Sequence, residues 1–228
     1  MTEKDTTFVA LLKACAKKKD IERGTKLHMT IVKKGLLMEG SNLYLASTLI
    51  YMYAKCGAVS KAHKVLEDLL VRDVVIWNAL ISGYAQTSQQ GFEALDCYQR
   101  MQCEGISPNV ITFTCILRAC ASIRAIEKGK KVHNEVLSRG FLEKDTILGN
   151  ALVVMYAKCD AMSESMYLFD TLHVRTLMTW NALMIGYACK GDSDHVFSMF
   201  ERMQEEGTKP DGVTLLNILS VCNHDGLV

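Results

Sequence analysis

The stretch Val75-Ile76-Trp77-Asn78-Ala79-Leu80-Ile81-Ser82-Gly83-Tyr84-Ala85 decides the fold, because it is written again as Met178-Thr179-Trp180-Asn181-Ala182-Leu183-Met184-Ile185-Gly186-Tyr187-Ala188. Trp77 and Trp180 stand 103 residues apart, and the same step carries Met52-Tyr53-Ala54-Lys55-Cys56 onto Met155-Tyr156-Ala157-Lys158-Cys159. Ala14-Cys15-Ala16 returns 105 residues on as Ala119-Cys120-Ala121, and Arg100-Met101-Gln102 returns 102 on as Arg202-Met203-Gln204. Self-similarity that holds its spacing this closely marks a repeat architecture. An array of near-equal units offers a long binding surface more often than one catalytic pocket.

Within each copy the period is that of a helix. Ile76, Ala79, Leu80, Gly83 and Tyr84 fall at i, i+3, i+4, i+7 and i+8, one apolar stripe. A polar stretch, Gln86 to Gly91, separates it from a second stripe of Ala94, Leu95, Tyr98 and Met101. Gly105 sits where a helix end needs a left-handed residue, and Pro108 follows where the helix cannot resume. Gly186, Tyr187, Phe200, Met203, Gly207 and Pro210 repeat the design. The small residues Ala79, Gly83, Ala182 and Gly186 are expected to let the two helices of a hairpin approach closely. A lone hairpin cannot bury its stripe, so the predicted fold is an all-α solenoid of stacked helical hairpins.

Segmented on this pattern, the chain holds a long unit at 5–42, a short one at 43–73 and a standard one at 74–109. The triplet recurs at 110–145, 146–176 and 177–211, and residues 212–228 supply the first helix of a seventh unit. That last helix carries Leu215, Leu216, Ile218, Leu219 and Val221 without a partner hairpin, so a longer parent array is expected.

Composition fits this reading. Of 228 residues 49% are hydrophobic, ample for a core, and two prolines are few enough to favour helices. A net charge of +1 confines any nucleic-acid site to a local face. The nine cysteines are odd in number and contain no Cys-x-x-Cys, so neither a disulfide framework nor a zinc site is expected. Cys15, Cys120 and Cys222 recur in one context and Cys56 and Cys159 in another, as small core residues in a reducing compartment would. No apolar run approaches the roughly 20 residues that span a membrane, and Met1 to Asp5 has neither signal-peptide nor transit-peptide character.

The Trp77 to Ala85 and Met52 to Gly57 runs resemble the plant pentatricopeptide repeat family. So do Lys13-Ala14-Cys15-Ala16, Gly129-Lys130-Lys131-Val132-His133 and Gly105-Ile106-Ser107-Pro108-Asn109. The tetratricopeptide pattern does not fit. The long, short and standard alternation is similar to the family's mixed-length subclass, whose members select cytidines for C-to-U editing of organelle RNA. The resemblance implies a right-handed α-α superhelix that binds single-stranded RNA, about one base per repeat. It implies that a residue early in the first helix and the last residue of the repeat specify the base. By alignment the pairs are Ser47 with Asp73, Asn78 with Asn109, Asn150 with Thr176, and Asn181 with Asp211. The long units give Val9 with Asn42 and Thr114 with Asp145, which follow the rules less closely. Tyr44, Val75, Ile111, Ile147 and Met178 take the base-sandwiching position.

Asn offers a donor and an acceptor to a pyrimidine edge, while the shorter Ser leaves room for a purine. The family's pairing rules imply G at Ser47/Asp73, C over U at Asn78/Asn109 and U over C at Asn181/Asp211. They lean to G at Thr114/Asp145 and leave Asn150/Thr176 as a pyrimidine. With RNA running 5′ to 3′ along the chain, the preferred string is N-G-C-(G)-Y-U. Gln90 and the extra residues near Met38 to Ser41 and Leu142 to Lys144 shift the register locally.

Structural alternatives compete at several positions. Asn78 and Asn181 could be helix caps, but Ser47, Asn150 and Thr114 at the matching place favour base contact. Trp77 and Trp180 lie inside the apolar pattern and are expected in the core. His28 and His133 recur 105 apart and are expected to pack. His133-Asn134-Glu135 matches half of a zinc-deaminase signature whose second half the chain lacks. Lys17 to Lys19 and Lys128, Lys130 and Lys131 could meet phosphates or simply solvate helix ends. The expected protein is therefore a monomeric RNA-recognition array without cofactor or metal, acting in a mitochondrion or plastid beside other editing or processing proteins. With no deaminase or nuclease module in the chain, it is expected to bind and not to catalyse. The alternative is a protein-binding scaffold of tetratricopeptide type.

Overall fold

The computed structural model describes residues 3–37, 42–86, 89–142 and 146–224, and the side chains of 6–222 within them. Among the described residues there are thirteen α-helices and no strand. They are α1 (Glu3–Lys18), α2 (Ile21–Lys33), α3 (Leu43–Lys55), α4 (Val59–Glu67), α5 (Val74–Tyr84), α6 (Gly91–Cys103), α7 (Val110–Ser122), α8 (Ile126–Ser138), α9 (Thr146–Lys158), α10 (Met162–Thr171), α11 (Leu177–Ala188), α12 (Ser193–Glu205) and α13 (Gly212–His224). None is long and apolar enough to cross a membrane. The chain forms two compact units, Met1–Ala119 and Cys120–Val228.

In the first unit α3 packs between α1 and α5, and α2, α4 and α6 each back their own first helix. In the second, α11 packs against α9 and α13, with α10 and α12 behind. Helices α2, α6, α8 and α12 end on glycines in the left-handed conformation, Gly35, Gly105, Gly140 and Gly207, with Gly105 and Gly207 at φ +75°. There Ile106 N donates back to Met101 O and Thr208 N to Met203 O, closing the helix end. The second stripe of α6 is Gly91, Ala94, Cys97, Tyr98 and Met101. Cys97 takes the buried place assigned above to Leu95, and Gly91 begins the helix rather than ending the turn.

The recurrent glycines, Gly83 and Gly186, make their close approaches between hairpins. A Cβ on Gly83 of α5 would stand 2.6 Å from Ala54 Cβ of α3 and 3.6 Å from Val59 of α4. A Cβ on Gly186 of α11 would collide with Met162 of α10. Each glycine therefore lets a first helix press against the hairpin before it, which corrects the expectation of closeness inside one hairpin. Stacking of neighbours, not hairpin formation, sets this distance.

Trp77 and Trp180 are fully buried, so they pack in the core and offer no face to a base. Trp77 Nε1 donates to Glu104 Oε2 at 3.2 Å. The Arg72 guanidinium holds Glu104 from the other side, and its Nε caps the end of α4 through Leu66 O at 3.0 Å. The second unit repeats the arginine's part of the device: Arg175 Nε donates to Phe169 O at 3.0 Å and Nη1 to Glu206 Oε1 at 2.7 Å. Phe169 meets Trp180 edge to face at 4.5 Å. Cys15, Cys97, Cys115 and Cys120 are buried thiols, Cys56, Cys159 and Cys222 are half-buried, and Cys103 and Cys189 are exposed. Burial pushes the Cys97 and Cys120 thiols up to about 12, so they stay protonated and inert.

The histidines brace neighbouring helices through tyrosines. His28 Nδ1 lies 3.0 Å from Tyr53 OH, His133 Nδ1 2.9 Å from Tyr156 OH, and His63 Nδ1 2.9 Å from Tyr84 OH. The half-buried His28 and His133 titrate below the ordinary 6.5 because burial disfavours their charged form. The unfolded chain then takes up these protons first as pH falls, so folding stability present above pH 6.5 is lost on acidification. Urea unfolding of the chain is expected to give a lower midpoint at pH 5 than at pH 7.5. Substituting both histidines by Gln should flatten that difference; a midpoint independent of pH in the unsubstituted chain would contradict the account.

Candidate nucleic-acid interface

Five first helices, α3, α5, α7, α11 and α13, begin with a capping residue, the one that the segmentation above places last in the preceding unit. Asn42 Oδ1 accepts from Leu45 N at 3.2 Å and Asp73 Oδ1 from Ile76 N at 2.9 Å. Asn109 Oδ1 accepts from Thr112 N at 3.1 Å, Thr176 Oγ1 from Thr179 N at 3.3 Å, and Asp211 Oδ1 from Thr214 N at 2.9 Å. The capping chemistry considered above for Asn78 and Asn181 thus belongs to their partners, because a cap must precede the helix and these two lie a turn inside it.

Asn78 and Asn181 are nonetheless joined to those caps. Asn78 Nδ2 donates to Asn109 Oδ1 at 3.0 Å, and Asn78 Oδ1 accepts from Thr112 Oγ1 at 2.6 Å. Asn181 Nδ2 donates to Asp211 Oδ1 at 3.0 Å, and its Oδ1 accepts from Thr214 Oγ1 at 2.7 Å. The backbone N–H that fixes each cap oxygen also fixes which amide atom faces it. Each Asn keeps one N–H and one lone pair beyond these bonds among the described residues. The Asp211 carboxyl is held below its ordinary range, first by the Thr214 N–H and then by the Asn181 amide.

Other positions are built differently. Ser47 Oγ donates to Tyr44 O of its own helix at 3.0 Å, and Thr114 Oγ1 likewise to Val110 O at 2.8 Å. Val9 is buried and brings no polar atom. Asn150 Nδ2 donates to Thr146 O at 2.7 Å and Val174 O at 3.1 Å, while its Oδ1 takes the Thr176 N–H at 3.2 Å and the Thr179 hydroxyl. Asp145 lies outside the described residues, as do 38–41 and 143–144 of the two extra segments. Thr112, Thr179 and Thr214 were not singled out from sequence. Their signal was a threonine at a fixed step after Asn109, Thr176 and Asp211.

Tyr44, Val75, Ile111, Ile147 and Met178 are large apolar side chains left between 47% and 67% exposed. Val213 shares their register, second in its helix, and is 43% exposed. In the first unit Tyr44, Ser47, Val75, Asn78 and Ile111 line one groove of about 820 Å³. Lys13, Lys17, Lys19 and Lys55 line it too. Lys13 Nζ donates to Tyr44 OH at 2.8 Å. Lys128, Lys130 and Lys131 stand instead on α8, a second helix, where Lys130 Nζ lies 3.7 Å from Glu164. The half-signature residues His133 and Glu135 are occupied by Tyr156 and Arg139.

First helices whose inner residues are bonded to the cap of the next hairpin define a helical-hairpin repeat protein, with a groove along the first helices of its first unit. Family comparison then gives the particular family. The PPR repeat family matches residues 72–122 and 175–224 in one form and 6–36, 45–74 and 111–141 in another. The chain belongs to the pentatricopeptide repeat family, of plant type. A pentatricopeptide repeat-containing protein of Arabidopsis thaliana is 38% identical over 97% of this chain and 30% of its own length. Another, designated mitochondrial, is 33% identical over 97% of this chain and 34% of its own. The chloroplastic protein CRR2 of the same plant is 36% identical over 97% and 34%. The chain spans about a third of the length of such relatives. Among solved structures, maize PPR10 superposes with a TM-score of 0.69 at 20% identity, covering 95% of this chain and 31% of PPR10. PPR10 in complex with an 18-nt psaJ RNA element gives 0.64 at 18% identity, over 90% and 30%.

Proposed function

We propose that this chain is the single-stranded RNA-recognition segment of a plant organelle RNA-processing factor, reading about one base per repeat. The observation that carries the proposal is the amide geometry of Asn78 and Asn181. Two polar groups of the same type, in corresponding places of the two units, are each anchored on one side and left with a donor and an acceptor. That pair of groups matches a pyrimidine Watson–Crick edge. Exposed apolar side chains stand at the flanking register positions, Val75 and Ile111 about Asn78, Met178 and Val213 about Asn181. They suit the faces of unstacked bases. The lysines of the first-unit groove suit the phosphates.

The repeat boundaries at 42/43, 73/74, 109/110, 176/177 and 211/212 follow from taking each cap as the end of a unit, and the boundary at 145/146 follows from the sequence spacing alone. On that frame Ser47/Asp73 prefers G, Asn78/Asn109 C over U, and Asn181/Asp211 U over C. Thr114/Asp145 leans to G, and Val9/Asn42 reads nothing. The RNA complex of PPR10 and the mitochondrial and chloroplastic names of the relatives support RNA as ligand and an organelle as site. The mixed unit lengths support the editing-factor subclass. The segment binds as a monomer, and catalysis belongs to a further module or a partner protein.

The test is a titration of the purified chain, at about 100 mM salt, against 5′-labelled RNA containing G-C-G-U-U and against a probe with those pyrimidines changed to purines. The expected preference for the first is about tenfold or more, near 1.4 kcal/mol. Equal affinities that fall steeply with salt would mean phosphate attraction alone and would remove the base assignments. Peptide binding with indifference to RNA would favour the scaffold reading.

A further inference from the structure

Asn150 occupies the position of Asn78 and Asn181 but has no hydrogen-bonding capacity left. An Asn side chain has two N–H donors and two acceptor lone pairs. Both donors of Asn150 are spent on main-chain carbonyls, Thr146 O at 2.7 Å and Val174 O at 3.1 Å. Both lone pairs are taken by the Thr176 N–H at 3.2 Å and the Thr179 hydroxyl, and Thr176 Oγ1 stands 3.3 Å away as well. Two carbonyls on one side and a main-chain N–H on the other fix the orientation of the amide. A flipped side chain would oppose donor to donor and acceptor to acceptor.

The difference traces to one residue. In the standard units the cap is Asn109 or Asp211, long enough to present an oxygen to the Asn amide. Thr176 is shorter, and its hydroxyl is engaged with Thr179 Oγ1 at 2.7 Å. The Asn150 amide turns instead to the Val174 carbonyl in the loop between α10 and α11, which ties α9 to that loop. A base edge meeting Asn150 would have to break an existing bond to gain one, so no base is favoured over another.

Resting on the RNA-reading proposal above, we infer that the unit at 146–176 is a base-indifferent spacer in the array, and that Thr176 with Thr179 is the device that silences Asn150. The expectation of a pyrimidine at that position is thereby revised. The RNA position facing it counts toward spacing and stacking, through Ile147, and not toward sequence.

A base scan of the intact chain tests this. Four RNAs differing only at the base facing 146–176 are expected to bind within about twofold of one another, while four differing at the base facing Asn181 spread by about tenfold or more. A tenfold pyrimidine preference facing Asn150 would overturn the inference. A flat response at both positions would instead remove base reading from the array, and the inference with it. Thr176→Asp, which reproduces the Asn181, Asp211 and Thr214 set, is expected to create a uridine preference of about tenfold at the silent position. A flat response in that variant, with its helical circular dichroism retained, would overturn saturation as the cause. In ¹⁵N spectra of the unsubstituted chain, adding RNA should move the Asn181 side-chain amide and leave that of Asn150 in place. The reverse pattern would count against the inference independently of any variant.

Discussion

Asn181→Ser is expected to change the base preferred at one RNA position from uridine to guanosine and to leave the other positions alone. The reason is local. Asn181 keeps one N–H and one lone pair beyond its bonds among the described residues, while Asp211 and Thr214 hold its other two groups. Serine is too short to meet a pyrimidine edge from the same Cα and leaves room for the larger ring. The variant would pair Ser with Asp, as Ser47 and Asp73 already do. Loss of uridine affinity should be about tenfold, the scale of one specific base contact.

The cap should survive, because Asp211 Oδ1 keeps the Thr214 N–H at 2.9 Å and the Thr214 hydroxyl at 3.0 Å. The stability cost is then about 1 kcal/mol for the lost Asn181 bonds. Competition binding with RNAs varied at each base measures the effect. An unchanged uridine preference would show that Asn181 does not read, and a uniform loss at all positions would show general unfolding.

Trp180→Ala is expected to be the most destabilising single change in the second unit, by about 3–5 kcal/mol. Trp180 is fully buried, meets the Phe169 ring edge to face at 4.5 Å, and lies under the Arg202 guanidinium at 5.9 Å. It joins Val153 and Met162 of the hairpin before with Met199, Met203 and Val221 of the helices after it. Removing it opens a cavity where three units meet. Its indole N–H has no hydrogen-bond partner among the described residues, so the loss is one of packing, and Trp180→Phe should recover much of it. In a repeat array the damage is local before it is global. The chain has two tryptophans, so fluorescence of Trp77 in the Trp180→Ala variant reports on the first unit alone. Urea unfolding by circular dichroism should show early loss of helix while Trp77 keeps its buried emission. Coincident loss by both probes would argue that the two units unfold as one.

Much of this was legible in the chain itself. The helix stripes are visible because burial of one face imposes a 3.6-residue period on the residues that fill it. The step from Trp77 to Trp180 and the glycines at 105 and 207 are legible for the same kind of reason: core volume and left-handed backbone admit few residue types. What Gly83 touches was not legible, because periodicity places a residue on a face but does not say which helix lies opposite. Cys97 likewise displaced Leu95 from the buried stripe once the start of α6 at Gly91 set the rotation of that helix.

The sequence by itself determined that the chain is an array of helical hairpins and which residue types recur at the candidate reading positions. These are local properties, set by the period of apolar residues and the chemistry of helix ends. Only the tertiary structure decided how the recurring asparagines differ. Asn78, Asn150 and Asn181 are identical in type and place, yet two are anchored with half their bonds free and one is saturated. That difference rests on how far a cap residue from the next hairpin can reach and on which loop carbonyl comes within 3.1 Å of the amide. Distances between hairpins are set by packing across many residues, and no local pattern encodes them.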